Sequence, residues 1–517
     1  MVFTYRKTVQ IMVNLAIFCF LYLMLSLVCL LPFKASAQHQ NLPWSFRLES
    51  VSGYSSNDAV PLWIRSNQYG SVPTPGLSST LILATKKEYR NNNEVPDFSR
   101  FDWGFSVESR VNTGSESNFT LIESNVKGKW GILEFNVGRR KDVMGLNGDT
   151  TLSSGNFAVS GNALGIPKLE IAIPDYYRLP FFDGLISLKG NWAHGWVGKR
   201  KIDDRLFLVT SENYRLNTYY HQKSLYGRIG RADGILSLYG GINHQAYWGN
   251  EKSIYGDSFP LSALSSYYYV FWAKPYSNEA IGSSKLGNHL GSIDLAAELK
   301  LKDLTIMGYR QNFYDIGAIS KFANIADGLN GLAITNRRKA EGGLHWRKVL
   351  FEFFYSKHQA GYPWAKATAS GDEDYYNNSY YLEGWSYRDR GNGNPFITPA
   401  HEAKEGQVSN PRKYFISNRV SALHLGLDFQ TYNFQNKIKL SYAQHLGNFS
   451  TSKWGASLGK EFQEPYGRFI PVNQFSAYLG TQRTLANQFT VGLQYAIDIG
   501  DLLNRSTAAY FTLSKTW

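Results

Sequence analysis

Cysteine is nearly absent. Cys19 and Cys29 are the two in the chain, both within its first 31 residues, so the remainder forms no disulfide and offers no thiol nucleophile. Long apolar runs are missing beyond that point. The longest, such as "YYYVFWA" (Tyr267 to Ala273), reach about a third of the ~20 residues a membrane-spanning helix needs. A chain under that constraint enters a membrane as strands. Phosphate-binding loops and dinucleotide fingerprints are lacking, and nothing points to nucleic acid. There is no internal repeat, linker or low-complexity tract, so the chain beyond its leader reads as one domain.

What is there begins with an export signal. Arg6 and Lys7 precede an apolar run from Ile11 to Leu31, and "KASAQ" (Lys34 to Gln38) offers an A-x-A site. This predicts a signal peptide over 1–37, cleaved after Ala37; the length of the run leaves an uncleaved anchor as the alternative. A lipoprotein fits poorly, because Cys29 follows Val28 and the apolar run continues past it. Removing 37 residues from 517 leaves 480, and the loss of Arg6, Lys7 and Lys34 lowers the net charge from +13 to +10. That excess suits an anionic polymer and lipid phosphates equally.

Residues 38–517 alternate in a way that separates two chemistries. In "GILEFNVGRR", Leu133, Phe135 and Val137 oppose Glu134, Asn136, Gly138 and Arg140. Further on, Leu425, Leu427 and Phe429 oppose Gly426, Asp428 and Gln430, and Ile438, Leu440 and Tyr442 oppose Lys437, Lys439 and Ser441. Phe489 to Ile497 and Ala509 to Trp517 repeat the pattern. Such faces suit strands with an apolar outside and a polar lumen, and a closed barrel leaves no backbone group unpaired in lipid. Aromatic residues, at 15% of the chain, suit interfacial girdles, though glycan-binding surfaces use them too. With ~25 to 30 residues per strand and its share of loop, 480 residues give about 16 to 19 strands. The fold class expected is therefore all-β, a transmembrane antiparallel barrel over residues 38–517 in the outer membrane of a Gram-negative cell.

Two regions break the pattern. Ile316, Ile319, Phe322, Ile325, Leu329 and Leu332 recur at threes and fours, which reads as loop packing or as a short amphipathic helix in a loop or the lumen. Residues 357–412, rich in Gly, Asn, Asp, Tyr and Trp, read as long surface loops. Within them Asp372, Glu373 and Asp374 lack the alternating ligands of a calcium loop and read as solvated charge. "HQKS" (His221 to Ser224) and "ALHLG" place histidines near polar residues, but spacing alone does not assemble a nucleophile, base and orienter.

Eight segments in one order carry more. They are "NGDTTLSSGNFAVSGNALGIPKLEIAIPDY", "HGWVG", "YYHQKSLYGRIG", "LYGGINHQAYWGN", "GNHLGSIDL", "YRQNFYD", "NIADGLNGL" and "YYNNSYYLEGWSY". Together, over about Pro61 to the C-terminus, they resemble the Wzi-type capsule assembly family of outer-membrane proteins. The resemblance implies an 18-stranded barrel without enzymatic activity or cofactor, a lectin holding capsular or exopolysaccharide at the cell surface. It also implies an aromatic C-terminal end read by the outer-membrane insertion machinery. Enteric members carry a helical bundle before the barrel, whereas this sequence is expected to pass within a few tens of residues from the cleavage site to strand-like segments.

A lectin needs aromatic faces for sugar rings and cations for an acidic polymer. Trp364, Tyr375, Tyr376, Trp385, Tyr387, Arg388 and Arg390 are the loop candidates, each equally readable as an interfacial anchor. His221, Gln222, Lys223, Asn243, His244, Gln245, Trp248 and Arg310 are expected in the lumen, as ligand contacts or as a rigidifying network. The expected partners are polysaccharide, outer-membrane lipid and lipopolysaccharide. A general or sugar-selective porin is the second reading and an outer-membrane hydrolase the third.

Overall fold

The structure is a computed structural model. It describes residues 44–56, 59–90, 98, 100–207, 214–231, 233–279, 281–315, 317–340, 342–360, 373–452 and 466–517. The signal peptide expected over 1–37, Trp364, Asp372 and Ile316 lie outside the described residues.

Eighteen antiparallel strands form one closed sheet. They are β1 (Trp44–Ser55), β2 (Leu77–Lys87), β3 (Phe101–Thr113), β4 (Asn118–Trp130), β5 (Leu133–Arg139) and β6 (Lys168–Arg178). The next six are β7 (Ile186–Lys201), β8 (Arg215–Ile229), β9 (Leu236–Trp248), β10 (Asn288–Lys300), β11 (Leu304–Tyr314) and β12 (Gly328–Asn336). The last six are β13 (Leu344–Tyr355), β14 (Val420–Thr431), β15 (Phe434–His445), β16 (Val472–Thr484), β17 (Phe489–Gly500) and β18 (Ser506–Thr516). Each pairs with its neighbours in the chain, and β18 closes on β1 from Arg47↔Thr516 to Ser55↔Ala508. Beyond that ladder, Trp517 N–H donates to Phe46 O at 2.9 Å and Phe46 N–H to Trp517 O at 3.2 Å.

The two faces carry the chemistry expected of them. Val137, Tyr442, Leu493 and Phe511 stand about half exposed on the outside, while Asn136, Lys439, Ser441, Asp498 and Tyr510 are buried within. In water that outer band would be an aggregation surface; in lipid it is the solvated one. One rim carries the tight connections 131–132, 301–303 and 432–433, and the other the long ones 56–76, 140–167, 249–287, 356–419 and 446–471. By the usual arrangement of such barrels the long loops face outward from the cell.

Two expectations are corrected. Of the two readings of Ile319 to Leu332, loop packing holds as far as Asp327, with one 3-10 turn at Ala318–Lys321, and the helical reading gives way to β12, which carries Leu329 and Leu332; strand pairing in the wall overrides the helical spacing. Among the described residues the longest α-helix is α1 (Ala263–Trp272) in the β9–β10 connection, N-capped by the Ser262 side chain. Much of the described part of 357–412 is not at the surface, although Arg388, Asp389 and 404–406 are exposed. Its Tyr375, Tyr376, Trp385, Phe396 and Ile397 join Trp63, Leu152 and Phe157 in one buried cluster with inward residues of the wall, among them Tyr247, Leu290, Phe313, Leu350 and Ala422. Segments 59–72, 140–167 and 373–419 thus fold down into the barrel as a plug.

The seam yields a prediction. A Cβ on Gly53 would lie 2.1 Å from Ala509 O across β1–β18, whereas one on Gly308 meets nothing within 4 Å. Gly53→Val is expected to weaken the barrel by roughly 1–3 kcal/mol, the usual range for overpacking, and Gly308→Ala to leave it intact. Heat-dependent mobility in detergent gels reads both.

Candidate functional site

The plug is tied to the wall by carboxylates that accept from its backbone and side chains. Glu352 on β13 accepts from Ser153 Oγ at 2.7 Å, Ser154 N–H at 2.7 Å and Asn147 Nδ2 at 3.3 Å, and also from the Tyr309 hydroxyl. Asp294 on β10 accepts from Leu146 N–H at 2.9 Å, Ser292 Oγ at 2.6 Å, Tyr226 OH at 3.0 Å and Gln311 Nε2 at 3.2 Å. A third, Asp498 on β17, accepts from Leu62 N–H at 2.8 Å. The segment "LSSGN" is therefore an anchor: its polar residues satisfy the wall, and Phe157 beyond it stacks on Phe313 at 4.0 Å.

Amides and aromatic donors join the plug segments to each other. Asn394 Nδ2 donates to Gly155 O at 2.5 Å, Trp385 Nε1 to Ala158 O at 2.7 Å, and the Tyr376 hydroxyl to Phe157 O. His424 bonds Leu152 O through Nε2 at 2.7 Å, which makes Nε2 the donor and leaves Nδ1 to accept from Ser441 Oγ at 2.7 Å. Ser441 also takes Trp63 Nε1 at 3.1 Å, and the neighbouring cavity is about 10 Å³. This serine–histidine pair is a strut between plug and wall.

The loop candidates divide accordingly. Tyr375, Tyr376, Trp385 and Tyr387 are buried, so they present no face on the surface for a sugar ring. Each is instead a core residue with its polar atom satisfied, as in Tyr375 OH to Asp327 Oδ2 at 2.8 Å and Arg139 Nη2 to Tyr387 OH at 3.2 Å. Arg388 is exposed, and Arg390 is partly covered beside Glu402 at 3.6 Å. Glu373 is buried and Asp374 half-buried rather than solvated: Glu373 accepts from Ala318 N–H at 2.9 Å and Asn324 Nδ2 at 3.0 Å, and Asp374 meets Lys413 at 2.8 Å. Among the described residues, no group of three acidic, histidine or cysteine side chains could hold a metal ion.

The second candidate set is corrected more sharply, because alternation sends its members to opposite faces. Gln222, Asn243 and Gln245 point into the lumen, where Asn243 Nδ2 donates to Ser292 Oγ at 2.6 Å. His221, Lys223, His244 and Trp248 share the outer face with Leu225 and Ile242, in the registers His221↔Ala246 and Lys223↔His244. Arg310 is also outside, opposite Leu295 and donating to Asn330 at 2.6 Å. These outer polar groups are covered by connections that fold down over the wall. Under 249–287, His289 Nε2 donates to Leu286 O at 2.7 Å, so its Nδ1 accepts from His244 Nε2 at 2.8 Å.

Charge that sequence reading missed sits on the loop rim. Arg205 and Arg412 share Asp203 at 2.6 and 2.8 Å, and Arg200 and Arg215 share Glu383 at 3.1 and 3.2 Å. Arg205 and Arg215 are more than half exposed. Arg205 and Asp203 are two residues apart, but the pairs Arg412–Asp203, Arg200–Glu383 and Arg215–Glu383 join residues far apart in the chain, and no spacing signals them. At the rim that faces the other way, a cavity of about 410 Å³ is lined by Arg47, Lys86, Glu108, Glu123 and Lys141, and Glu108 bridges Arg47 at 3.0 Å and Lys141 at 2.8 Å.

Two carboxylates put the plug to the test. Glu352→Ala leaves several buried donors unpaired, at about 1–3 kcal/mol each, and is expected to expose 140–167 to protease while heat-dependent gel mobility still shows a barrel. Asp327, in the β11–β12 connection, is pushed by burial up to about 7, against the lowering effect of the Gln359 and His358 N–H groups and the Tyr375 hydroxyl. Because the folded carboxyl holds its proton more tightly than the unfolded one, its contribution is full below ~pH 4 and is lost as pH rises through 7. Hydrogen exchange at the amides of His358 and Gln359, corrected for intrinsic rates, is expected to show this loss, and Asp327→Asn to abolish it.

Neither a family model nor a curated protein sequence matches the chain. Among solved structures it is similar to Wzi, an outer-membrane protein involved in group 1 capsule assembly in Escherichia coli and described as a carbohydrate-binding β-barrel. The likeness has 10% identity and a TM-score of 0.50 and covers 90% of this chain and 83% of Wzi. It is also similar to OccD3 of Pseudomonas aeruginosa, at 10% identity and a TM-score of 0.41, over 92% of this chain and 91% of that one. OprD of the same organism gives 8% identity and a TM-score of 0.41, over 92% and 95%. At these identities the likeness is one of fold: the chain is a closed 18-stranded barrel of the outer-membrane kind.

Proposed function

We propose that this protein is an outer-membrane, non-enzymatic polysaccharide-binding barrel that attaches capsular or exopolysaccharide to the cell surface. The observation that carries the reading is the plug. A wide barrel serving as a general pore leaves water along its axis, whereas this lumen is filled from the loop rim by three segments tied to the wall by buried carboxylates and aromatic packing. Such a plug makes the loop face a rigid platform. The carbohydrate binding stated for Wzi is a precedent for that use of the architecture.

On this reading the ligand meets the rim rather than the buried aromatics. Arg205, Arg215, Arg388 and Arg412 present guanidinium forks suited to uronate or phosphate groups of an acidic polymer. Exposed Tyr214 and Tyr466 offer apolar faces for sugar rings. Because the contacts are exposed, binding weakens as salt rises.

Immobilised native polysaccharide is expected to retain the purified, folded barrel. The combined variant Arg205→Ala, Arg215→Ala and Arg388→Ala is expected to lose about tenfold in affinity, or about 1.4 kcal/mol, with its gel mobility unchanged. No retention of the folded wild type would overturn the reading. A steady open channel in planar bilayers would favour the porin instead.

A further inference from the structure

The β9–β10 connection, 249–287, does not join the plug. It folds back over the outside of the barrel. The registers of β7 to β10 stack the outward residues in rows: His194, His221, Ala246 and His289; below them Trp192, Lys223, His244 and Gly291; and below those Gly190, Leu225, Ile242 and Ile293. The last row is part of the lipid-facing band, with Leu225 57% and Ile242 46% exposed. The two rows above it are largely polar, and α1 lies on them.

Specific contacts hold the helix there. Trp192 Nε1 donates to Tyr267 OH at 2.7 Å, which leaves that hydroxyl to donate to His221 Nδ1 at 3.1 Å. Lys223 donates to the Phe271 carbonyl, its Nζ 4.0 Å from the Phe271 ring centroid. Val270, Phe259, Tyr276, Ile281 and Leu286 close an apolar core with Ala246 and Trp248 of the wall. The covering connection supplies partners to Trp192 Nε1, His221 Nδ1, Lys223 and His289 Nε2 that lipid could not.

The far side of α1 is left bare. Leu264, Tyr268 and Trp272 recur every four residues, which stacks them along one face, and they are 80%, 49% and 59% exposed. Lys274 follows, its Nζ 2.7 Å from Tyr268 OH, and Lys223 lies 5.5 Å from the Trp272 ring. A stripe of this kind facing water would be a liability.

We propose that α1 is a lipid-contacting helix on the outside of the barrel, with Leu264, Tyr268 and Trp272 set into the outer leaflet of the outer membrane. The stripe continues the lipid-facing band directly below it, since Phe271 and Trp272 cover Lys223, one row above Leu225. Tyrosine and tryptophan are the side chains favoured at the edge of the hydrocarbon layer, and flanking lysines meet lipid phosphates there. The barrel is thereby widened on one side at the level of the outer headgroups. This inference is independent of any polysaccharide.

Spin labels test it, because residues 44–517 contain no cysteine. Leu264→Cys and Tyr268→Cys are labelled in the full barrel, with Leu225→Cys as the lipid reference and Lys404→Cys, on the loop rim, as the water reference. The barrel is placed in vesicles containing lipopolysaccharide and phospholipid, and relaxation by oxygen is compared with relaxation by a water-soluble nickel chelate. The oxygen-to-nickel ratio at 264 and 268 is expected to shift toward that at 225. Ratios like that at 404 would overturn the proposal, and so would spin–spin broadening between identical labels, which would mean that a second copy covers the stripe. Should Tyr268→Cys disturb the Lys274 contact and the fold, Leu264→Cys carries the test alone.

Discussion

The pairing of β1 with β18 is the contact on which everything else depends. In lipid an unpaired strand edge costs several kcal/mol for each exposed backbone group, so a sheet of eighteen strands persists there only when its first and last members meet. Closure from Arg47↔Thr516 to Ser55↔Ala508 removes both edges and fixes which face of every strand looks inward. Once that is fixed, Asp294, Glu352 and Asp498 lie buried on the inner wall, and the long loops supply donors to them.

The loops solve two different problems with the same chemistry. Segments 59–72, 140–167 and 373–419 bring Ser, Asn and backbone N–H groups to the inner carboxylates and fill the lumen. Segment 249–287 brings Tyr267 and the carbonyls of Phe271 and Leu286 to the histidines and lysine of the outer wall. Both kinds of cover leave the strands below them free to be simple: apolar outside, polar inside.

This division explains what the sequence could tell. Period-2 alternation is local, so the faces of Leu133 to Val137, Ile438 to Tyr442 and Ala509 to Trp517 were legible, and residue arithmetic came close to the strand number. The side on which His221, Lys223 and His244 lie was open to the same reading, since Leu225 and Ile242 share their parity. It was missed because polar residues were assumed to face the lumen. The plug was not legible at all: Tyr375, Tyr376 and Trp385 are scattered among Gly, Asn and Asp, and the partners that bury them, such as Asp327 and the Phe157 and Ala158 carbonyls, lie tens to hundreds of residues away. The arginine rim was hidden for the same reason.

On the proposed reading, the plugged barrel with its charged outer face holds a polymer rather than passing one. The most direct measurement is the amount of polysaccharide on washed cells and in the culture fluid, in the parent and in a clean deletion of this gene. Surface attachment predicts that polymer moves from cells to fluid with its total unchanged. An unchanged split would contradict the account, and loss from both fractions would place the protein in synthesis or export instead.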